Sequence, residues 1–212
     1  MNKTRIVCYG DSITQGAGLA EADRWTARLA FDLEQREPDR FSVYNRGVGG
    51  NTTALALDRF NADLAPLLPA LVLIEFGIND AYVYPWSRRP RVSLAEYVRN
   101  LHEIVRAVQA AAAMPILIIN HPLTLLRKLH PQGNGKSLRE NLAPYSTATR
   151  RLATRHKIHL IDLPALVRRE RIRPATLLAS DGVHLSDEGN RVYARLVVSS
   201  LASDSLSTIL KK

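Results

Sequence analysis

The apolar residues of this chain form short continuous runs that alternate with longer amphipathic segments. Five runs of four to six residues are rich in aliphatic side chains, and they are Arg5–Tyr9, Phe41–Tyr44, Leu71–Phe76, Ile116–Ile119 and Ile158–Ile161. Runs of this length with apolar side chains at successive positions are typical of strands that are covered on both faces. We therefore predict five strands, with the third and fourth runs at the centre of the sheet.

The segments between the apolar runs have the periodicity of helices. Arg24–Glu37, Leu94–Ala113, Leu138–His156 and Asp187–Leu201 place apolar side chains three or four residues apart. Ser186 precedes two acidic residues, which is a good helix start. Strands that alternate with helices indicate βαβ units and a parallel sheet. The prediction is an α/β fold: a three-layer α/β/α sandwich with five parallel strands and about six helices.

Length and composition are those of a globular protein. The 212 residues are 46% apolar and 23% charged, and no linker-like stretch divides them, so we expect one domain over residues 1–212. The lone cysteine, Cys8, excludes an intramolecular disulfide and a cysteine-based zinc site. No apolar stretch reaches the roughly 18 residues of a membrane-spanning helix, and the first residues do not resemble a signal peptide. A cytoplasmic location is the resulting expectation.

The chain is strongly basic. Its 29 Lys and Arg residues exceed its 20 acidic residues, which gives a formal charge of +9, and arginines cluster at Arg88–Arg91 and Arg168–Arg173. No interleaved aromatics or nucleic-acid-binding motif accompany these clusters, so we expect no nucleic-acid partner. A solvated basic surface is the favoured interpretation. An anionic substrate or a membrane surface remains an alternative.

In a parallel sheet we expect the functional residues just after the strands, because ligands bind outside the carboxyl ends of the strands. After the first predicted strand comes Gly10-Asp11-Ser12, which places a serine where a nucleophile is useful. A capping or turn serine is the alternative for Ser12. After the third strand, Asn79 supplies an amide donor that suits a developing negative charge, or it forms an ordinary turn.

Two more segments complete the set. The second strand leads into Asn45–Thr53, where Gly47, Gly49 and Gly50 either expose backbone N–H groups for an oxyanion or form a plain turn. Near the C-terminus, Asp181 precedes His184 by three residues, a spacing that lets the carboxylate orient the ring. An incidental histidine in a capped turn is the alternative. Together the four segments supply a nucleophile, base, orienting acid and oxyanion donors, as acyl transfer requires.

These four blocks resemble those of the SGNH (GDSL) hydrolase superfamily. Gly10–Ile13 (GDSI) is similar to the first block, Asn45–Gly50 (NRGVGG) to the second, Gly77–Asp80 (GIND) to the third and Asp181–His184 (DGVH) to the fourth. Their order and spacing match over essentially the whole chain. Ile13 stands where the family name has leucine.

The resemblance implies a Ser-His-Asp triad in which Ser12 is the nucleophile, His184 the base and Asp181 the acid that orients it. It also implies an oxyanion hole formed by the backbone N–H groups of Ser12 and Gly50 and by the side chain of Asn79. The fold that it implies is a flavodoxin-like three-layer sandwich.

Register decides the choice among the glycines. Family members that read Asn-x-x-x-x-Gly donate from the last glycine, which here is Gly50, five residues after Asn45. Gly49 and Gly47 remain the alternatives.

The expected function is a serine esterase that hydrolyses carboxylic esters, with small or short-acyl substrates favoured. Alternatives on the same triad are a lysophospholipase, a thioesterase or an acyltransferase. A non-catalytic binding module of the same fold would not need the three triad residues together. A nucleotide or flavin binder is disfavoured because no phosphate-loop motif is present. We expect a small-molecule ester as partner, no cofactor and no metal, since the histidines lack metal-ligand spacing.

Some segments carry weaker expectations. His121 ends the fourth predicted strand and is a candidate to line the substrate pocket, whereas His130 has a smaller claim to a chemical role. Tyr82–Trp86 either packs in the interior or lines an apolar pocket. The long irregular segment His121–Ser137 follows a strand and is expected to be functional or mobile. The apolar segment Leu206–Leu210 leaves open a homo-oligomer contact.

Overall fold

The computed structural model describes residues 3–123 and 131–202, and its centre is a parallel sheet. The strands are β1 (Thr4–Gly10), β2 (Phe41–Gly47), β3 (Leu71–Glu75), β4 (Met114–Ile119) and β5 (His159–Asp162). Their order is β2-β1-β3-β4-β5, and every neighbouring pair is parallel. The predicted five-stranded α/β fold with a flavodoxin-like strand order is therefore confirmed.

Helices fill the connections between the strands. They are α1 (Ser12–Gln15), α2 (Trp25–Arg36), α3 (Thr53–Arg59), α4 (Ile78–Ala81), α5 (Leu94–Ala110), α6 (Leu138–His156), α7 (Leu163–Arg169), α8 (Pro174–Leu177) and α9 (Asp187–Leu201). Short 3₁₀ turns occur at Glu21–Asp23 and Ala65–Leu67, and a π turn occurs at Phe60–Leu64. Additional short helices at the strand ends, such as α1 and α4, were not apparent from periodicity because they are single turns.

Capping side chains set where the long helices begin. The side chains of Ser93 and Ser137 each accept a hydrogen bond from the backbone N–H of a glutamate three residues on, and the backbone N–H of each serine donates to that glutamate's carboxylate in return. Ser186 accepts a hydrogen bond of 2.9 Å from the Gly189 N–H, as its position in the sequence predicted.

The helices cover both faces of the sheet. Helices α2 and α9 pack together, whereas α3, α5 and α6 pack in succession against one another. Right-handed crossovers place these two groups on opposite faces, because the chain moves from β1 to one edge and then from β2 to the other. The strands β3 and β4 are buried almost throughout, and the edge strands β2 and β5 are only partly buried.

The register of the sheet brings three strand ends together. Gly10, the last residue of β1, is paired with Gly47 of β2 on one side and with Glu75 of β3 on the other. The loops that follow these residues therefore leave the sheet side by side, and they hold the first three sequence blocks.

Two sequence expectations fall outside the described residues. His130 and the apolar segment Leu206–Leu210 lie there, as does part of the segment His121–Ser137. Among residues 3–123 and 131–202, no helix has the length and apolar character needed to cross a membrane.

Candidate active site

The candidate nucleophile lies on a one-turn helix at the end of β1. Asp11 caps α1, and its Oδ1 accepts the Ile13 N–H at 2.9 Å. Gly16 ends the turn in the left-handed conformation, with φ of 73°. Ser12 is thereby held at the first helical position with its side chain half-buried.

Ser12, His184 and Asp181 form a continuous chain of hydrogen bonds. The Ser12 Oγ lies 2.9 Å from His184 Nε2, and His184 Nδ1 lies 2.6 Å from Asp181 Oδ2. An ionised carboxylate can only accept, so the ring proton is on Nδ1 and Nε2 is the acceptor for the serine hydroxyl. Ser12 and His184 are 172 positions apart in the sequence, and the fold brings them into contact.

Asp181 is organised by its own loop. Its Oδ1 accepts the backbone N–H groups of Val183 and His184, each at 2.9 Å. Partial burial raises the pKa of the Asp181 carboxyl, but the hydrogen bonds from the His184 ring and from these two N–H groups outweigh it, so the pKa is lowered. Asp181 therefore remains ionised at neutral pH, as an acceptor of the Nδ1 proton must.

The Asn79 amide is held at both ends. Its Nδ2 donates to Asp11 Oδ2 at 3.2 Å, and its Oδ1 accepts from Arg91 Nη1 at 3.4 Å. The second amide hydrogen of Asn79 donates to no other residue in the described ranges. Asp11, directly before the nucleophile, thus orients the candidate oxyanion donor.

The glycine-rich loop after β2 stands against the serine. Gly49 faces it most closely, since a Cβ on Gly49 would lie 4.0 Å from the Ser12 Cβ. Gly50 is left-handed, with φ of 74° and open space at its Cβ position. The N–H groups of both glycines donate to no group within the described ranges. The Gly47 N–H donates to Asn45 Oδ1 at 2.9 Å, which removes Gly47 as an oxyanion donor.

A buried glutamate that sequence analysis did not consider lies next to α1. Glu75 accepts the Thr14 hydroxyl at 2.7 Å and the Asn120 amide at 2.8 Å. Burial raises the Glu75 pKa to about 7, although these hydrogen bonds oppose the rise. The Tyr193 hydroxyl lies next to Glu75, and its interaction with the carboxylate also opposes the rise in the Glu75 pKa. The sequence did contain a signal for this buried carboxyl, since Glu75 is the one acid inside the apolar run Leu71–Phe76.

Two further buried acids, Asp11 and Asp80, are sequence neighbours of the candidate site residues Ser12 and Asn79. Asp11 is fully buried, and burial together with the nearby Glu75 charge raises its pKa well above the ordinary value. Asp80 accepts the backbone N–H of Thr53 at 2.9 Å and its hydroxyl at 2.5 Å, which joins the third block to α3. Burial also raises the pKa of Asp80, against the hydrogen bonds from Thr53.

One arginine ties the loop after β2 to the end of β1. Arg59 donates to Asn51 Oδ1 at 2.6 Å, to the Gly10 carbonyl at 3.0 Å and to Asp63 at 3.0 Å. Its guanidinium also lies over the Tyr9 ring, 4.3 Å from the centroid. No sequence pattern indicated this role, because Arg59 lies on an ordinary helix whose partners come from other elements.

The remaining sequence candidates lie elsewhere. His121 is buried and donates from Nε2 to the Val183 carbonyl at 2.7 Å, and burial lowers its pKa to about 4. It lines a cavity that contains no triad residue. Two histidines that belong to none of the four blocks, His102 and His156, pack on each other with ring centroids 4.5 Å apart between α5 and α6. Within Tyr82–Trp86, the Tyr84 and Trp86 rings stack at 4.9 Å, and Trp86 is 82% exposed.

The described residues contain no group of three or more side chains with the donor set of a metal site.

The chain has relatives among known proteins. A family model described as the GDSL-like lipase/acylhydrolase family matches residues 8–192. The isoamyl acetate-hydrolyzing esterase 1 homolog of Bos taurus is 32% identical over 206 residues, which cover 91% of this chain and 79% of the relative. The chain is also 31% identical over 132 residues to a Bacillus subtilis protein described as an uncharacterized lipoprotein, YqeF. That match covers 62% of this chain and 51% of the lipoprotein, about half its length.

The fold recurs in solved structures. The lipase/acylhydrolase from Enterococcus faecalis superposes with a TM-score of 0.78 and 24% sequence identity, over 93% of this chain and 95% of that one. At this identity the likeness concerns the arrangement of strands and helices. It agrees with the five-stranded parallel sheet described above.

Proposed function

Because this chain belongs to the GDSL-like lipase/acylhydrolase family, it is an ester hydrolase, and we propose that it is a serine esterase acting on carboxylic esters. The hydrogen-bond chain from Ser12 through His184 to Asp181 carries this proposal. The hydroxyl, the ring and the carboxylate are linked in the order that a nucleophile, a base and an orienting acid require for acyl transfer from an ester, which supports the proposed roles.

In the proposed reaction His184 Nε2 takes the proton of Ser12 as Oγ bonds to the ester carbonyl carbon. The bond from that carbon to the alcohol oxygen then breaks, and the alcohol leaves with the proton held on His184. Water adds to the acyl-enzyme by the same route, with His184 again taking and returning a proton. Asp181 holds the ring in the required tautomer and stabilises its charged form.

The oxyanion formed in each addition needs donors already in place. We assign this role to the N–H groups of Ser12 and Gly50 and to Asn79, with Gly49 as the alternative glycine. Gly49 lies nearer to Ser12, whereas Gly50 has the register of the family, and we retain Gly50 on that ground. Asp11 and Arg91 position the amide of Asn79 before the charge develops, which is the arrangement that makes such donors effective.

We further propose that the preferred substrates are small esters with short acyl groups. A relative named for hydrolysis of isoamyl acetate supports this preference. The half-exposed Ser12 supports it as well, because a small ester can reach the nucleophile without burial of a long chain.

The test combines labelling with turnover. We expect a fluorophosphonate probe to add one mass adduct on Ser12, and p-nitrophenyl acetate to be hydrolysed faster than longer p-nitrophenyl esters. Ser12→Ala is expected to lose both properties, whereas the control Ser180→Ala, at an exposed serine near the fourth block, is expected to keep both. Labelling of Ser12→Ala at another serine would refute the assignment. Product analysis with added alcohols would separate hydrolysis from acyl transfer to an alcohol.

A further inference from the structure

A cavity that is lined by none of the triad residues lies between α6 and the segment that contains α7 and α8. Its volume is about 650 Å³, which is within the range of small-molecule sites. The lining contains five arginines, Arg139, Arg150, Arg168, Arg171 and Arg173. The described residues that line this cavity include no aspartate or glutamate.

Among the described residues, only one of these arginines forms a direct ion pair with a carboxylate. Arg150 forms a two-point contact with Asp162, at 2.7 and 3.1 Å. Arg139, Arg168, Arg171 and Arg173 form no ion pair or side-chain hydrogen bond within residues 3–123 and 131–202. The cavity therefore gathers four cationic side chains that form no ion pair within the described residues, although the charge of Arg168 also acts on the Asp162 carboxylate.

Helix ends and backbone geometry explain only part of this cluster. Arg168 lies in the last turn of α7, where the helix dipole favours a cation. Arg139 lies in the first turn of α6, where the dipole opposes one. Arg171 has a φ of 55°, a conformation that glycine adopts more readily than any residue with a side chain. Two of the four cations thus occupy positions that the local structure disfavours.

The cavity also has an apolar component. Leu123, Leu142, Val167 and Ile172 contribute hydrocarbon surface next to the arginines. His121 lines the same cavity, and its buried Nδ1 has no hydrogen-bond partner in the described part of the chain. A ligand suited to these walls combines a multiply charged anionic head with a short apolar body.

We propose that this cavity binds a small organic phosphate, with the phosphate held by Arg139, Arg168, Arg171 and Arg173 and the organic group against the apolar wall. Guanidinium groups bind phosphate through paired, charge-assisted hydrogen bonds, and four of them match a dianion better than a monocarboxylate. The site is distinct from the triad, since none of Ser12, Asp181 and His184 lines it.

The decisive variants are Arg171→Gly and its matched control Lys157→Gly. Lys157 is exposed, has a φ of 53° and lies outside the cavity, so both changes remove one positive charge and relieve the same backbone conformation. Their unliganded melting temperatures are therefore expected to be similar. Butyl phosphate binding is measured by calorimetry at constant ionic strength, with inorganic phosphate and pentanoate as comparison ligands.

We expect the wild type and Lys157→Gly to bind butyl phosphate equally, and more tightly than inorganic phosphate or pentanoate. Arg171→Gly is expected to lose roughly tenfold in affinity, as removal of a charged hydrogen-bond donor implies. Equal affinity in the two glycine variants would overturn the proposal, because the phosphate would then bind elsewhere, for example at the oxyanion hole. The absence of binding to the wild type would overturn it too.

A further experiment distinguishes a lipid head group from a soluble phosphate ester as the source of the phosphate. Vesicles of phosphatidylcholine with and without phosphatidic acid are sedimented with the wild type and with both glycine variants. Retention that needs phosphatidic acid and is reduced only in Arg171→Gly would assign the site to a lipid head group. Binding of free butyl phosphate without retention would assign it to a soluble phosphate ester.

Discussion

Glu75 makes stability depend on pH in a way that one substitution can isolate. The carboxyl is fully buried at the end of β3, and burial raises its pKa from the ordinary 4.5 to about 7. The folded state therefore binds the Glu75 proton more tightly than the unfolded state does. This contribution is fully present below pH 4.5, declines as the pH rises toward 7, and is lost above it.

The size of the effect follows from the two pKa values. The interval between 4.5 and about 7 corresponds to about 3 kcal/mol in the free energy of unfolding. Glu75→Gln has nearly the same shape, and its amide can still pair with Thr14 and Asn120. Because it carries no titrating charge, the variant is expected to lose this part of the pH dependence. Removing the Glu75 charge also lowers the pKa of Asp11, so the difference reports on the pair.

The assay is urea unfolding of the wild type and of Glu75→Gln at pH 4 and pH 8. Between these pH values, the stability of the variant relative to the wild type is expected to rise by about 3 kcal/mol. Glu103→Gln, which changes an exposed acid on α5, is the control and is expected to follow the wild type. If Glu75→Gln and the wild type changed in parallel, the carboxyl would not be the buried proton acceptor described here, and the reasoning would fail.

The remaining predictions concern the triad and the oxyanion donors. Asn79→Ala is expected to lower kcat by roughly 10²–10³ with little change in KM, since an oxyanion donor acts mainly on the transition state. A kcat near that of the wild type would remove Asn79 from the oxyanion hole. Asp181→Asn is expected to lower kcat by roughly 10⁴ with an unchanged melting temperature, because an amide no longer selects the tautomer of His184. A loss below tenfold would show that the ring is oriented by another group.

The elements of the fold were accessible from local pattern. Continuous apolar runs identified all five strands, and α6 and α9 have the predicted bounds because their caps, Ser137 and Ser186, are encoded next to them. The single-turn helices α1 and α4 were not predicted, since one turn is too short to show a period. Strand β2 continues three residues beyond its apolar run because it pairs with β1 as far as Gly47.

The candidate site was accessible only in part. The blocks around Ser12, Asn79 and His184 are short motifs of neighbouring residues, so the candidate residues and their positions could be predicted. Which side chains meet is a property of the sheet register, which aligns the ends of β1, β2 and β3. The partners of Asn79, namely Asp11 and Arg91, come from different segments and follow no spacing rule.

The sequence by itself determined the strand and helix pattern, the α/β class and the four blocks, because periodicity, capping and short motifs are written in neighbouring residues. The tertiary structure alone decided that Glu75 and Asp11 are buried together, that Arg59 joins the end of β1 to the loop after β2, and that Arg139 lies at the same cavity as Arg168, Arg171 and Arg173. These features depend on burial and on contacts between distant segments. Burial sets the cost of a charge, and distant contacts decide whether that charge is compensated.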